Sequence, residues 1–250
     1  RQIHVNYLNA GSDLIQTNTF GGSPITLAEF DLEDQAFEIN RRAGELAREA
    51  IESLAPGKPR YVMGAIGPGT RLPTLGHIGY AELETALAEQ CRGLAEGGVD
   101  AFLIETCQDT LQIKAAVNGA KQARLASGRE IPIFVQVTVE TTGTLLVGSD
   151  VAAAATSLHA LGIDSLGLNC ATGPQEMAEH VKWLGENWPG FVSVQPNAGL
   201  PELVRVLGVR RMSWCWAAVR AQIRDLTGYL GCSSLTGYLT SSPTGYLTGY

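Results

Sequence analysis

No stretch of the chain approaches the roughly 18 consecutive apolar residues of a membrane helix, and no charged-then-apolar leader precedes the first strand. The expectation is a soluble, cytoplasmic protein with no membrane partner. Basic clusters are missing too. Lys and Arg number 18 against 25 Asp and Glu, a net charge of -7, which argues against nucleic acid as a partner and leaves small molecules. The five cysteines, at 91, 107, 170, 215 and 232, are an odd and scattered set, unlike a secreted disulfide framework, so free thiols or a metal site remain. No glycine fingerprint for a dinucleotide follows any apolar run. An initiating Met is also lacking: the chain opens at Arg1, inside what reads as the end of a helix, and its true N-terminus is expected to be missing.

What is present suits one large domain with a substantial core, at 45% hydrophobic and 17% charged over 250 residues. The chain alternates short apolar runs with helical patterns. Leu14 and Ile15 leave through the polar stretch Thr17-Asn18-Thr19-Phe20-Gly21-Gly22, and a helix from Ala36 to Leu54 stops at Pro56-Gly57. Tyr61 to Ile66 reads as a strand, Glu82 to Glu96 as a helix with Cys91 on its apolar stripe, and Ala101 to Ile104 as a strand closed by Glu105-Thr106-Cys107-Gln108-Asp109. A helix from Leu111 to Leu125, a strand from Ile133 to Val139 and a helix from Ala152 to Leu161 follow. The run Ile163, Leu166, Leu168 then meets Asn169-Cys170 and is cut off by Gly173-Pro174, which opens a helix reaching Trp188. A strand from Phe191 to Val194 exits through Gln195-Pro196-Asn197-Ala198-Gly199.

Six strands alternating with helices fit either an open doubly wound sheet or an eight-stranded barrel. The barrel is favoured, because the informative residues are spread over many strand ends rather than gathered at one crevice. Near Val204 the pattern breaks, and Thr-Gly-Tyr-Leu recurs at 227, 236 and 244. The reading is therefore a barrel domain over 1–204 and an atypical low-complexity tail over 205–250, expected to be poorly ordered or loosely packed.

Cys170 and Glu105 are the residues of interest. A lone intracellular Cys is most often a small buried hydrophobe, and a strand-end Glu is as readily a solvated loop charge or a helix cap. The octapeptide Gly167-Leu168-Asn169-Cys170-Ala171-Thr172-Gly173-Pro174 nevertheless resembles the first zinc-cysteine motif of the homocysteine S-methyltransferase family, and most of all the homocysteine-binding module of cobalamin-dependent methionine synthases. The resemblance extends over several strand ends, from the first residues to near Val204. It implies a (β/α)8 TIM-type barrel in which zinc, held by three thiolates, binds the thiol of homocysteine for attack on a methyl group. A free thiol has a pKa of roughly 8.5, whereas a zinc-bound thiol loses its proton outright, so zinc supplies the nucleophile.

Carried over by motif, the resemblance makes Cys170 the first zinc ligand and Glu105 the carboxylate that receives the amino group of homocysteine. It places Asn18 and Asn197 on the walls of the pocket. Taken alone, either Asn reads as a turn residue. In this group methylcobalamin is the methyl donor and methyltetrahydrofolate recharges it, each on a module outside this chain. Two departures stand against the family pattern. The motif of its first strand has no counterpart before Arg1, and the Gly-Gly-Cys-Cys that supplies the other two zinc ligands occurs nowhere in the sequence. Cys215 and Cys232 match neither of those ligands. The barrel is thus expected to be incomplete at both ends and the zinc site incomplete. The alternatives are a catalytically dead or non-functional barrel fragment without zinc, and a stand-alone methyltransferase using a sulfonium or betaine donor. A barrel acting on phosphorylated metabolites would need a phosphate cradle, and the glycines are not arranged as one.

Overall fold

A computed structural model describes residues 1–197, apart from the side chain of Pro174. The break in pattern near Val204, the 205–250 tail, Cys215 and Cys232 lie outside the described residues. Helix α1 (Gln2–Asn9) leads into strand β1 (Leu14–Gln16), and a short helix α2 (Pro24–Leu27) precedes α3 (Ala36–Glu52). There follow β2 (Tyr61–Ile66), α4 (Tyr80–Glu96), β3 (Ala101–Cys107), α5 (Thr110–Ser127), β4 (Ile133–Val137), α6 (Val151–His159), β5 (Ser165–Asn169), α7 (Pro174–Asn187) and β6 (Phe191–Gln195).

All pairings are parallel, and the six strands lie in the order in which they occur along the chain. A doubly wound sheet must reverse its strand order at a switch point, so this sequential order excludes the open alternative and gives six consecutive units of a barrel-type array. Period-two alternation along each strand separates two faces. Val62, Ile66, Phe102, Ile104, Val135, Leu166 and Val194 join the main core with the helices, while Met63, Ala101 and Leu103 form a smaller cluster with Leu14 and Phe134 on the other face.

The helix starts follow their caps. The Asp109 carboxylate accepts from the backbone N–H groups of Leu111 and Gln112 at 2.8 and 3.4 Å, and that of Asp150 accepts from Ala153 at 2.7 Å. At the opposite end of the strands, a Gly-x-Asp triplet precedes β1, β3 and β5, with Gly11, Gly98 and Gly162 all at positive φ. Asp100 accepts from the Val62 N–H at 2.7 Å and Asp164 from the Ile133 N–H at 2.8 Å, so each carboxylate satisfies the first free donor of the preceding strand. Asp13 is paired instead with Lys58 at 2.5 Å.

Close strand contact constrains one residue most severely. A Cβ added at Gly167 would lie 1.9 Å from the Ser193 carbonyl oxygen and 2.4 Å from its hydroxyl. The backbone cannot withdraw without separating β5 from β6, which are in register at this pair. Gly167→Ala is therefore expected to destabilise the fold by roughly 3 kcal/mol, checked by urea unfolding; full stability in that variant would show that the two strands are not so closely held.

One element differs from its expected span in a way that matters. The sequence places Glu105 where β3 meets its loop, after a strand ending at Ile104. The strand instead continues to Cys107 through a register shift between Ile104 and Cys107, so Glu105 and Thr106 lie in a bulge within the strand. A bulge of this kind re-aims the side chains at a strand end, which periodicity alone does not reveal.

Candidate functional site

The site lies where β3, β4 and β5 end. Thr106 occupies the bulge at φ 61, and Cys170 and Ala171 turn the chain out of β5 at φ 56 and 51. A β-branched residue at positive φ is strained, and strain of this type persists only where surrounding contacts hold it. Those contacts converge on Asn169. Its side-chain carbonyl accepts from the Thr106 N–H at 3.1 Å and the Thr138 hydroxyl at 3.1 Å, while its amide donates to Thr106 Oγ1 at 2.7 Å and to Cys170 Sγ at 3.5 Å. Asn169 is buried, as are Thr138 and Gln195.

Glu105 sits beside this clasp at 7% exposure. Among the described residues, no hydrogen bond or ion pair reaches its carboxylate. Burial raises its pKa from 4.5 to about 7, so near neutrality the carboxyl is poised between acid and anion. It is neither a solvated loop charge nor a helix cap, since Asp109 caps α5. Cys170 is half-buried; burial pushes its thiol up, the Thr106 hydroxyl contact at 3.8 Å pulls the other way, and the nearby Glu105 charge raises it further. Glu105 directly precedes Thr106, whose hydroxyl lies 3.8 Å from the Cys170 sulfur, so the carboxyl and the thiol belong to one strand-end site.

The walls are tied together by polar bonds. Gln108 donates to Glu140 at 2.6 Å across the loops after β3 and β4, and Thr110 and Ser149 hydroxyls meet at 3.2 Å. Asp109 also accepts from the Thr74 N–H and hydroxyl at 2.9 and 2.7 Å, pinning the loop after β2 against α5. Asn197 is joined to the Cys170 turn through its N–H on the Thr172 carbonyl at 3.3 Å, and the Cys170 N–H donates to Gln195 O at 3.2 Å. Asn18 stands exposed after β1, with buried Thr17 and Thr19 on either side bonded to Ala65 of β2. No hydrogen bond links it to the other three candidates.

The structure thus brings Glu105, Cys170 and the Asn197 backbone together and leaves Asn18 at the neighbouring rim. Sequence reasoning missed Thr106, Thr138 and the role of Asn169. Asn169 was visible as a polar residue closing an apolar run, but nothing in the sequence marked the bulge that lets Thr106 meet it.

A catalytic zinc site ordinarily uses three protein ligands. Among the described residues, no group of three His, Cys, Asp or Glu side chains could hold a metal. Cys91 and Cys107 are sealed in the core at 0% and 1% exposure, and burial pushes both thiols far up. Cys170 offers one sulfur, so the described residues alone do not fit a zinc ion.

A parallel strand-helix array with its strands in sequential order defines an α/β domain of the barrel type. The chain belongs to the homocysteine S-methyltransferase family, whose model, described as "Homocysteine S-methyltransferase", matches residues 1–228. Methionine synthases of Mycobacterium tuberculosis and Mycobacterium leprae are each 50% identical to it over 202 residues, 80% of this chain. The chain spans only 17% of their length. Among solved structures, the metallated form of the homocysteine methyltransferase MmuM from Escherichia coli superposes with a TM-score of 0.68 at 20% identity, covering 83% of this chain and 74% of that one. Its apo form gives 0.64 at 21% identity, with 83% and 73% covered. At that level of identity the likeness is one of fold. No helix among the described residues is long and apolar enough to cross a membrane.

Proposed function

We propose that the strand-end site seats homocysteine, with Glu105 receiving its ammonium group and Cys170 facing its sulfur, as the substrate-binding part of a methyltransferase that forms methionine. The observation that supports this reading is a buried carboxyl, without a partner among the described residues, next to the Thr106–Asn169 clasp that holds a half-buried thiol. A buried carboxylate without a partner is costly, and a ligand ammonium group supplies the missing charge and hydrogen bonds. Asn197 and Asn18 line the pocket on either side of that pair.

Two mycobacterial relatives are named methionine synthases and are far longer than this chain, which favours methylcobalamin on a separate module as the methyl donor, recharged from methyltetrahydrofolate on another. A stand-alone enzyme with a sulfonium or betaine donor has no observation of its own in support. The zinc-dependent half of the reaction needs two thiolates beyond Cys170, which the described residues do not offer. We take the six described strand-helix units to be part of a (β/α)8 TIM-type barrel, and the protein to work in the cytoplasm.

Equilibrium dialysis of the full chain with homocysteine tests the substrate reading. Homocysteine is expected to bind saturably, while 4-mercaptobutyrate, which has the same thiol and carboxylate but no amino group, binds at least about 100-fold more weakly because Glu105 is left unpaired. Equal binding of the two would remove Glu105 from the role assigned to it.

A further inference from the structure

The orientation of the Asn169 carboxamide is fixed by its partners. The Thr106 backbone N–H can only donate, so the atom 3.1 Å from it must be the carbonyl oxygen, and the amide nitrogen must then face Thr106 Oγ1 at 2.7 Å and Cys170 Sγ at 3.5 Å. Thr106 Oγ1, having accepted that bond, still has its own proton free to be donated to the sulfur 3.8 Å away, and must do so when the sulfur is a thiolate. Two donors therefore converge on one sulfur. A core thiol that serves only as a small hydrophobe needs neither of them. Both ends of the arrangement are held at strained positive φ, in the β3 bulge and in the turn after β5, so the clasp joins two irregularities that regular strands would not bring together.

We propose that Asn169 is the positioning residue of this site: its carboxamide locks the Thr106 bulge to the Cys170 turn and fixes the direction in which the Cys170 sulfur faces the pocket. This rests on the reading of Cys170 as the sulfur that meets the ligand. Asn169 itself is buried, and its side chain acts through Thr106 and Cys170. Hydrogen bonds to a ligating group from a surrounding shell both orient it and tune it, which is the part Asn169 plays toward Cys170.

Native alkylation of the full chain with iodoacetamide, read peptide by peptide by mass spectrometry, separates positioning from bulk stability. Asn169→Asp keeps the oxygen that accepts from the Thr106 N–H but loses both amide donors, and its second oxygen draws the Thr106 proton away from the sulfur. Cys170 is expected to alkylate about tenfold more slowly in that variant, while the sealed Cys91 and Cys107 stay as unreactive as before. Thr106→Val, which removes only the hydroxyl, should slow Cys170 a few-fold, and the double variant should be no slower than Asn169→Asp alone, because the two donors act as one unit. A merely structural role predicts the opposite sign, with Cys91, Cys107 and Cys170 all reacting faster as the fold loosens. Should Asn169→Asp fail to fold, Thr106→Val decides the matter, and an unchanged Cys170 rate there overturns the proposal. Cys170 inert in the unaltered chain overturns the ligand-facing reading beneath it. Cys170 reactive but indifferent to both substitutions overturns the role of Asn169 alone.

Discussion

Glu105→Gln is expected to make the protein more stable at pH 8 and at the same time to abolish useful homocysteine binding. Both effects come from one carboxyl. Its pKa in the folded chain is raised from 4.5 to about 7 by burial, so the native state prefers the protonated acid. A raised folded pKa means stability that is fully present below pH 4.5 and lost as pH rises toward 7. The shift corresponds to about 3 kcal/mol above that window, a penalty the neutral amide does not carry. Melting temperatures should therefore agree at pH 4 and diverge by about 6–12 °C at pH 8, with the variant higher. Binding moves the other way. The amide cannot neutralise an ammonium group and turns an N–H toward it, so affinity should fall by at least about 100-fold. In the unaltered chain, affinity should rise with pH up to about 7 and then level off, with a proton released on binding. Calorimetry in two buffers of different ionisation enthalpy measures that proton. A variant less stable than the parent at pH 8 would show that Glu105 already has a partner in the folded chain.

The second large effect concerns zinc. As purified, the chain should hold much less than one equivalent, because Cys170 is a single sulfur ligand and an amide oxygen from Asn197 would be a far weaker donor to zinc than a thiolate. Methyl transfer to homocysteine, assayed with methylcobalamin and with sulfonium and betaine donors, should be correspondingly slight. Introducing a Gly-Gly-Cys-Cys segment at a closing strand should tighten zinc by at least ~1000-fold, since two added thiolates turn one ligand into the usual catalytic three. Elemental analysis and competition with a chromophoric chelator give both numbers. Near-stoichiometric zinc in the unaltered chain, lost on Cys170→Ser, would show instead that Cys215 or Cys232 completes the set.

The alternation of strands and helices was legible because the buried strands Ala101–Cys107 and Ser165–Asn169 are short apolar runs bounded by polar or glycine exits, and α3 to α7 keep their helical periods. The alternation alone did not separate barrel from open sheet; the spread of informative residues over many strand ends and the lack of a dinucleotide fingerprint favoured the barrel, and the sequential strand order agrees with it. Glu105 and Cys170 could be singled out from motif and strand-end position. The clasp between them could not: it depends on a bulge that puts Thr106 at positive φ, and β-branched residues give no local signal for that conformation. The paired Gly-x-Asp caps at the other end of the strands were written in the sequence as a repeat, but their meaning lies in bonds to strands 31 and 38 residues away.

The central claim, that one small amino acid bridges Glu105 and the Cys170 turn, is tested most directly by a crystal structure of the full chain with homocysteine. The account predicts the ligand's amino group within hydrogen-bonding distance of the Glu105 carboxylate and its sulfur on the Cys170 side of the Thr106–Asn169 clasp. Homocysteine bound elsewhere, or seated here with its amino group turned away from Glu105, would contradict it.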